Sequence, residues 1–169
     1  YPDDNDLSEP QVIKNVSERG KRGLTYDLLT KTPHMKASIE LVKSCPNTQF
    51  IIDHISKPYM AKGEMQPWAD LLTDLAQFDN VVIKISGLFT EADWNNWSFH
   101  TFKPYLDHVT ETFTPARMMF GSDWPVCLLA ATYRQSVDVM EQFTEPFSKS
   151  EQENFWANTA IRSYKLKIN

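Results

Sequence analysis

Four short apolar runs recur along the chain, and each is followed by a segment whose apolar residues fall at helical spacing. The runs are Leu24 to Leu29, in which Tyr26 alternates against Asp27, Phe50 to Ile52, Val81 to Ser86 and Met118 to Phe120, and each reads as a short strand. The helical segments begin with residues 10–20, where Val12, Ile13 and Val16 make one apolar side. Residues 34–44 follow, with Ile39, Leu41 and Val42 opposite Lys36, Glu40 and Lys43. In residues 67–78, Trp68, Leu71, Leu72 and Leu75 lie at 3.6-residue spacing, and Pro67 stands at the start, where a proline costs a helix nothing. Further helices are predicted over 104–112 and 129–143, and a last one after Ser148 with Phe155, Trp156, Ala160 and Ile161. Residues 88–102 show no period and read as a long aromatic and acidic loop. Strands alternating with helices predict an α/β fold with a parallel sheet.

The ends of the second and fourth runs carry ionisable groups. Phe50-Ile51-Ile52 leads into Asp53-His54-Ile55-Ser56-Lys57-Pro58, and Met118-Met119-Phe120 leads through Gly121 and Ser122 to Asp123-Trp124-Pro125. A rigid sheet holds such side chains while the following loops leave room for a ligand. An imidazole and a carboxylate, each at its own strand end, are the minimum set for hydrolysis or for holding a divalent metal, so His54 and Asp123 are the candidate catalytic pair. Asp123 also suits an ordinary turn. Period-two alternation predicts that His54 shares a face with Phe50 and Ile52, and Asp53 the other. By the same rule Lys84 lies on the face of Val82 and Ser86, either toward a pocket or extended to the strand's edge. One of Tyr26 and Asp27 should face the pocket. Trp94 and Trp97 in the aromatic loop are candidate lid residues that stack on a ligand ring, or they pack the loop down; Glu91, Asp93 and Asn95 would meet hydroxyls of such a ligand. Tyr26, Lys84, Trp94, Trp97 and Trp124 form the substrate-binding set. His34, His100 and His108 read as capping, surface or packing residues.

Composition narrows the function classes without choosing one. The 169 residues are 41% hydrophobic and 12% aromatic, enough to bury a core. A formal net charge of −5 and no basic run give no electrostatic footprint for nucleic acid or an anionic membrane. No stretch reaches the ~18 apolar residues of a membrane span, and the polar start, YPDDNDLSEP, matches neither a signal nor a transit peptide, so a cytoplasmic location is expected. Cys45 and Cys127 have no paired spacing and read as buried fillers.

GLTYDLL (23–29), FIIDHISKP (50–58), VVIKISGLFTEADWNNW (81–97) and RMMFGSDWPVCLLAATY (117–133) together resemble successive blocks of amidohydrolase family 2, most of all its sugar-lactonase branch of the L-fuconolactonase and L-rhamnonolactonase type. The resemblance runs from about Tyr1 to Tyr164 and implies the C-terminal half of a (β/α)8 barrel, with 1–169 as one incomplete domain. The family's first strand carries a His-x-His pair that is not found among His34, His54, His100 and His108, so the N-terminal strands are expected to be absent and an open half barrel to be poorly soluble, to associate as a homo-oligomer or to stay partly unfolded. The implied activity is hydrolysis of a sugar lactone, with Asp123 as the base and His54 polarising the carbonyl. If a metal such as zinc is used, His54 and Asp123 are its ligands here, and two ligands are few for a catalytic zinc. The alternatives are decarboxylation or another amidohydrolase-type reaction on a small cyclic acid, and a catalytically inactive truncated domain.

Overall fold

The computed structural model describes residues 4–168. Its centre is a parallel sheet of β1 (Thr25–Leu28), β2 (Gln49–Ile52), β3 (Val81–Ile85) and β4 (Met118–Phe120), in sequence order and paired edge to edge. Parallel neighbours need a crossover, and helices supply each one. α1 (Pro10–Lys21) precedes β1; α2 (Met35–Ser44) and α3 (Trp68–Ala76) link the first three strands. α4 (Leu88–Glu91) and α5 (Phe99–Phe113) lie between β3 and β4, and α6 (Tyr133–Thr144) follows β4. The chain closes with α7 (Lys149–Glu153), a π-helical turn (Asn154–Asn158) and α8 (Thr159–Tyr164).

β2, β3 and β4 are largely buried on both faces, which is why their sequences are near-continuous apolar runs, whereas β1 buries Leu28 and leaves Asp27 exposed. On the helix side, Leu28, Phe50, Ile52, Val81, Ile83, Ile85 and Met118 join Leu41, Leu72, Phe102 and Phe113 in the main core. The other face is smaller. Ile51, Val82 and Met119 cluster there from three strands and pack against Ala160 and Tyr164, so α8 crosses this second face. Tyr164 Oη donates to Asp27 Oδ2 at 2.7 Å and Lys165 Nζ donates to the Gly23 carbonyl at 2.9 Å, tying the end of the chain to β1.

Three expected elements differ. The stretch read as one loop contains α4, and α5 starts at Phe99 rather than at Pro104. The start is set by Ser98 at the N-cap, whose backbone N–H donates to Thr101 Oγ1 at 3.1 Å. Likewise α6 begins at Tyr133, where Thr132 and Gln135 cap each other, and Val126–Leu129 before it is a 3-10 turn. Among the described residues, no helix is long and apolar enough to cross a membrane.

Candidate active site

Ile52 is the last residue of β2, and the backbone then leaves the extended region. His54, Ile55, Ser56 and Lys57 have φ of 52°, 45°, 56° and 47°, a full left-handed turn built from L-residues. Such a conformation costs on the order of 1–2 kcal/mol per residue, so it persists only where its surroundings hold it. The holding groups are visible. Trp68 Nε1 donates to the Ile55 carbonyl at 2.7 Å, and the Thr30 and Ser56 hydroxyls lie 3.2 Å apart.

The segment from β3 to α4 grips the same turn at three points. Lys84 Nζ lies 2.5 Å from Asp53 Oδ1, Ser86 Oγ is 2.8 Å from His54 Nδ1, and Glu91 Oε1 is 2.5 Å from Lys57 Nζ. Gly87 makes room between them: it has φ 64°, and a Cβ there would stand 2.8 Å from Cβ, Cγ and Nδ1 of His54.

Asp123 comes from the loop after β4. Its φ is also left-handed, 56°, and its carbonyl accepts the Cys127 N–H at 2.8 Å. The carboxylate meets the imidazole: His54 Nε2 is 3.7 Å from Asp123 Oδ1, and the two side chains retain 17% and 11% exposure. Both are sheltered without being closed off from solvent. Nearby, Lys84 Nζ also contacts Asp27 Oδ2 at 3.2 Å and lies 5.5 Å from the centre of the Tyr164 ring.

The electrostatics follow from this packing. Burial pushes the His54 imidazolium below its usual range, against the raising influence of Asp123 and Asp53 and with help from Lys57 and Lys84. Burial also opposes the Lys84 charge, but its hydrogen bond to Asp53, with the other contacts to its ammonium, outweighs that and holds it well above the ordinary lysine range. The Tyr164 hydroxyl is pushed up to about 12, chiefly by burial, with Asp27 adding to the rise and Lys84 opposing it.

A pH dependence results. The unfolded imidazole takes a proton near about 6.5, and the folded one only at lower pH, so the unfolded state binds more protons between those values. The stabilisation from neutral His54 is therefore complete above about 6.5 and is lost as pH falls toward the lowered folded value. Urea midpoints are expected to drop between pH 7.5 and 5.5 more steeply in the wild type than in His54→Gln. Parallel slopes in the two proteins would remove His54 as the cause.

Of the residues expected from sequence, His54 and Asp123 are brought together, but not by the expected alternation. His54 does not continue the Phe50 and Ile52 face, because the strand ends and the left-handed turn swings the imidazole toward Ser86 and Asp123. Lys84 does reach the interior face, where carboxylates hold it. Of Tyr26 and Asp27 it is Asp27 that faces this interior, against Lys84 and Tyr164. Tyr26 is turned away from it: its ring stands edge-on to Phe50 at 6.0 Å, with the Arg19 guanidinium 5.9 Å over it. Trp97 is a packing residue in the observed geometry, 4.8 Å from Phe89 and donating Nε1–H to the Ala130 carbonyl at 2.9 Å. Trp94 is half exposed and anchored to the Thr90 carbonyl, and Trp124 is 63% exposed beside Asp123. Sequence reasoning passed over Ser86, Gly87 and Lys57, although Ser86 had a signal in its place on the Lys84 face; Glu91, expected to meet ligand hydroxyls, is instead paired with Lys57.

Among the described residues no three His, Cys, Asp or Glu side chains converge as a metal would require. Two donors on one tetrahedral zinc stand about 3.4 Å apart, so the His54–Asp123 spacing suits a pair of ligands. A complete catalytic zinc takes three protein ligands, and the described residues do not supply the third.

An L-fucono-1,5-lactonase of Burkholderia multivorans is 39% identical over 126 residues, covering 69% of this chain and 43% of its own length. An L-rhamnono-gamma-lactonase of Scheffersomyces stipitis is 27% identical over 145 residues, covering 74% of this chain and 43% of its own length. The crystal structure of an amidohydrolase from Burkholderia multivorans with bound zinc superposes with a TM-score of 0.93 at 31% identity, over 97% of this chain and 60% of that one. The chain thus spans about half the length of the curated relatives it matches, and its four-stranded sheet is part of a barrel. The model of the amidohydrolase family matches residues 1–166, from before α1 to just past the end of α8, and the chain belongs to that family.

Proposed function

We propose that this chain carries the acid–base centre of a hydrolase that opens a sugar lactone to its aldonic acid. The observation that carries the reading is the His54–Asp123 pair, Nε2 to Oδ1 at 3.7 Å, on two strand ends of a chain whose relatives include lactonases. Asp123, sheltered and acceptor-only when ionised, takes a proton from water as the water oxygen attacks the lactone carbonyl carbon. The carbonyl π electrons move to oxygen, where neutral His54 donates a hydrogen bond from Nε2, provided Nδ1 accepts from the Ser86 hydroxyl. The tetrahedral carbon then expels the ring oxygen, and Asp123 returns the proton to it. Water and lactone are consumed and one hydroxy acid is formed. Asp123 begins and ends ionised, so a single carboxylate serves both half-steps.

Zinc, when bound by a member of this superfamily, supplies a Lewis acid at the attacked carbonyl. Lys84 stays out of proton transfer, since Asp53 and Asp27 hold its ammonium protonated. The test is hydrolysis of a panel of neutral aldonolactones, with and without added zinc, followed by release of acid. Turnover above the spontaneous rate is expected for at least one five- or six-membered lactone; a folded protein inert toward the whole panel under both conditions overturns the proposal.

A further inference from the structure

Each lysine next to the site is already committed. Lys57 follows His54 by three residues in the left-handed turn, and its backbone N–H donates to the His54 carbonyl at 2.8 Å. That side chain ends on Glu91, with 12% and 17% of the two side chains exposed. Lys84 is held between Asp53 and Asp27. Against these two cations stand four carboxylates, Asp27, Asp53, Glu91 and Asp123. The described site therefore faces a ligand with excess negative charge and with no ammonium released to meet an anion. A second anionic group on a lactone would lose its hydration there without gaining a partner.

We propose that Glu91 is a specificity-determining residue: by holding Lys57 it closes the site to lactones bearing a carboxylate and reserves it for uncharged, polyhydroxylated ones. The inference rests on the lactone-hydrolase reading and adds the residue that sets its charge preference. Glu91 sits in α4, outside the acid–base pair, and reaches the turn that carries His54 through Lys57. The same pairing has a use at the end of the cycle. Hydrolysis turns a neutral substrate into an aldonate, and a site without a released cation gives that anion no reason to stay.

The experiment compares wild type, Glu91→Gln and the double variant Lys57→Met with Glu91→Gln. The amide of Glu91→Gln keeps a carbonyl oxygen for the Lys57 ammonium but removes the compensating charge. The probes are D-glucono-1,4-lactone, its carboxylated counterpart D-glucaro-1,4-lactone, and D-gluconate, with binding read by ligand-observed NMR at low and moderate salt. The wild type is expected to favour the neutral lactone. Glu91→Gln is expected to shift the ratio toward the carboxylated lactone by about tenfold or more, in a salt-sensitive way, and the double variant should lose that gain. An unchanged ratio in Glu91→Gln, or a gain that survives loss of Lys57, overturns the proposal. If no lactone binds any of the three proteins, the lactonase reading fails, and gluconate alone still decides the charge gate: admitted by Glu91→Gln and excluded by the wild type, or not.

Discussion

Asp123→Asn is expected to lower lactone turnover by roughly 10²–10⁴-fold while leaving the protein folded. The substitution keeps the side chain's shape and removes only its basicity. Asparagine tolerates the left-handed backbone of this position, φ 56°, and the carbonyl that accepts the Cys127 N–H is unchanged. Both proton transfers of the proposed cycle pass through this one carboxylate, so no second side chain compensates. Initial rates at saturating lactone, set beside thermal melts of both proteins, separate the chemical effect from a folding effect. Retention of more than about a tenth of the wild-type rate would assign the base elsewhere.

Gly87→Ala is expected to destabilise the protein by about 2–4 kcal/mol and to displace the imidazole. Two costs act together. An L-side chain at φ 64° costs about 1–2 kcal/mol, and the added methyl would lie 2.8 Å from three atoms of the His54 side chain, which must shift away from Ser86. Gly63→Ala isolates the first cost, because Gly63 has a similar φ of 66° with nothing within 4 Å of a built Cβ. Urea denaturation of the two variants should therefore differ by the crowding cost, and the His54 ring resonances should move in Gly87→Ala alone. Equal losses of stability in both would show that the ring yields freely.

The residues explain why some of this was legible in sequence and some was not. Ile51, Val82 and Met119 lie within unbroken apolar runs, and such runs identify doubly buried parallel strands without knowledge of their partners. Asp123 stands after a glycine at a strand end, so its place was readable too. The route of His54 was not. Alternation predicts side-chain direction only while the backbone stays extended, and the turn after Ile52 carries Ile55 and Ser56, neither of which advertises a positive φ. The contacts that impose the turn come from Trp68, Ser86 and Glu91, at sequence separations at which no local pattern is visible. Trp97 illustrates the converse difficulty. An aromatic residue in a loop has the same local signature whether it covers a ligand or packs on Phe89, and only the tertiary contacts distinguish the two.

The left-handed turn also bears on how freely the chain can vary. Ile55 is fully buried in the main core, which asks for a bulky aliphatic side chain, while its φ of 45° asks for glycine or asparagine. Glycine there would relax the backbone and open a hole; valine would keep most of the volume and all of the backbone conflict. The two demands share few solutions, so a library randomised at this position should return a narrow set of survivors even though the side chain lies outside the acid–base pair. Tolerance to replacement is then set by the hand of the backbone as much as by proximity to the reacting atoms.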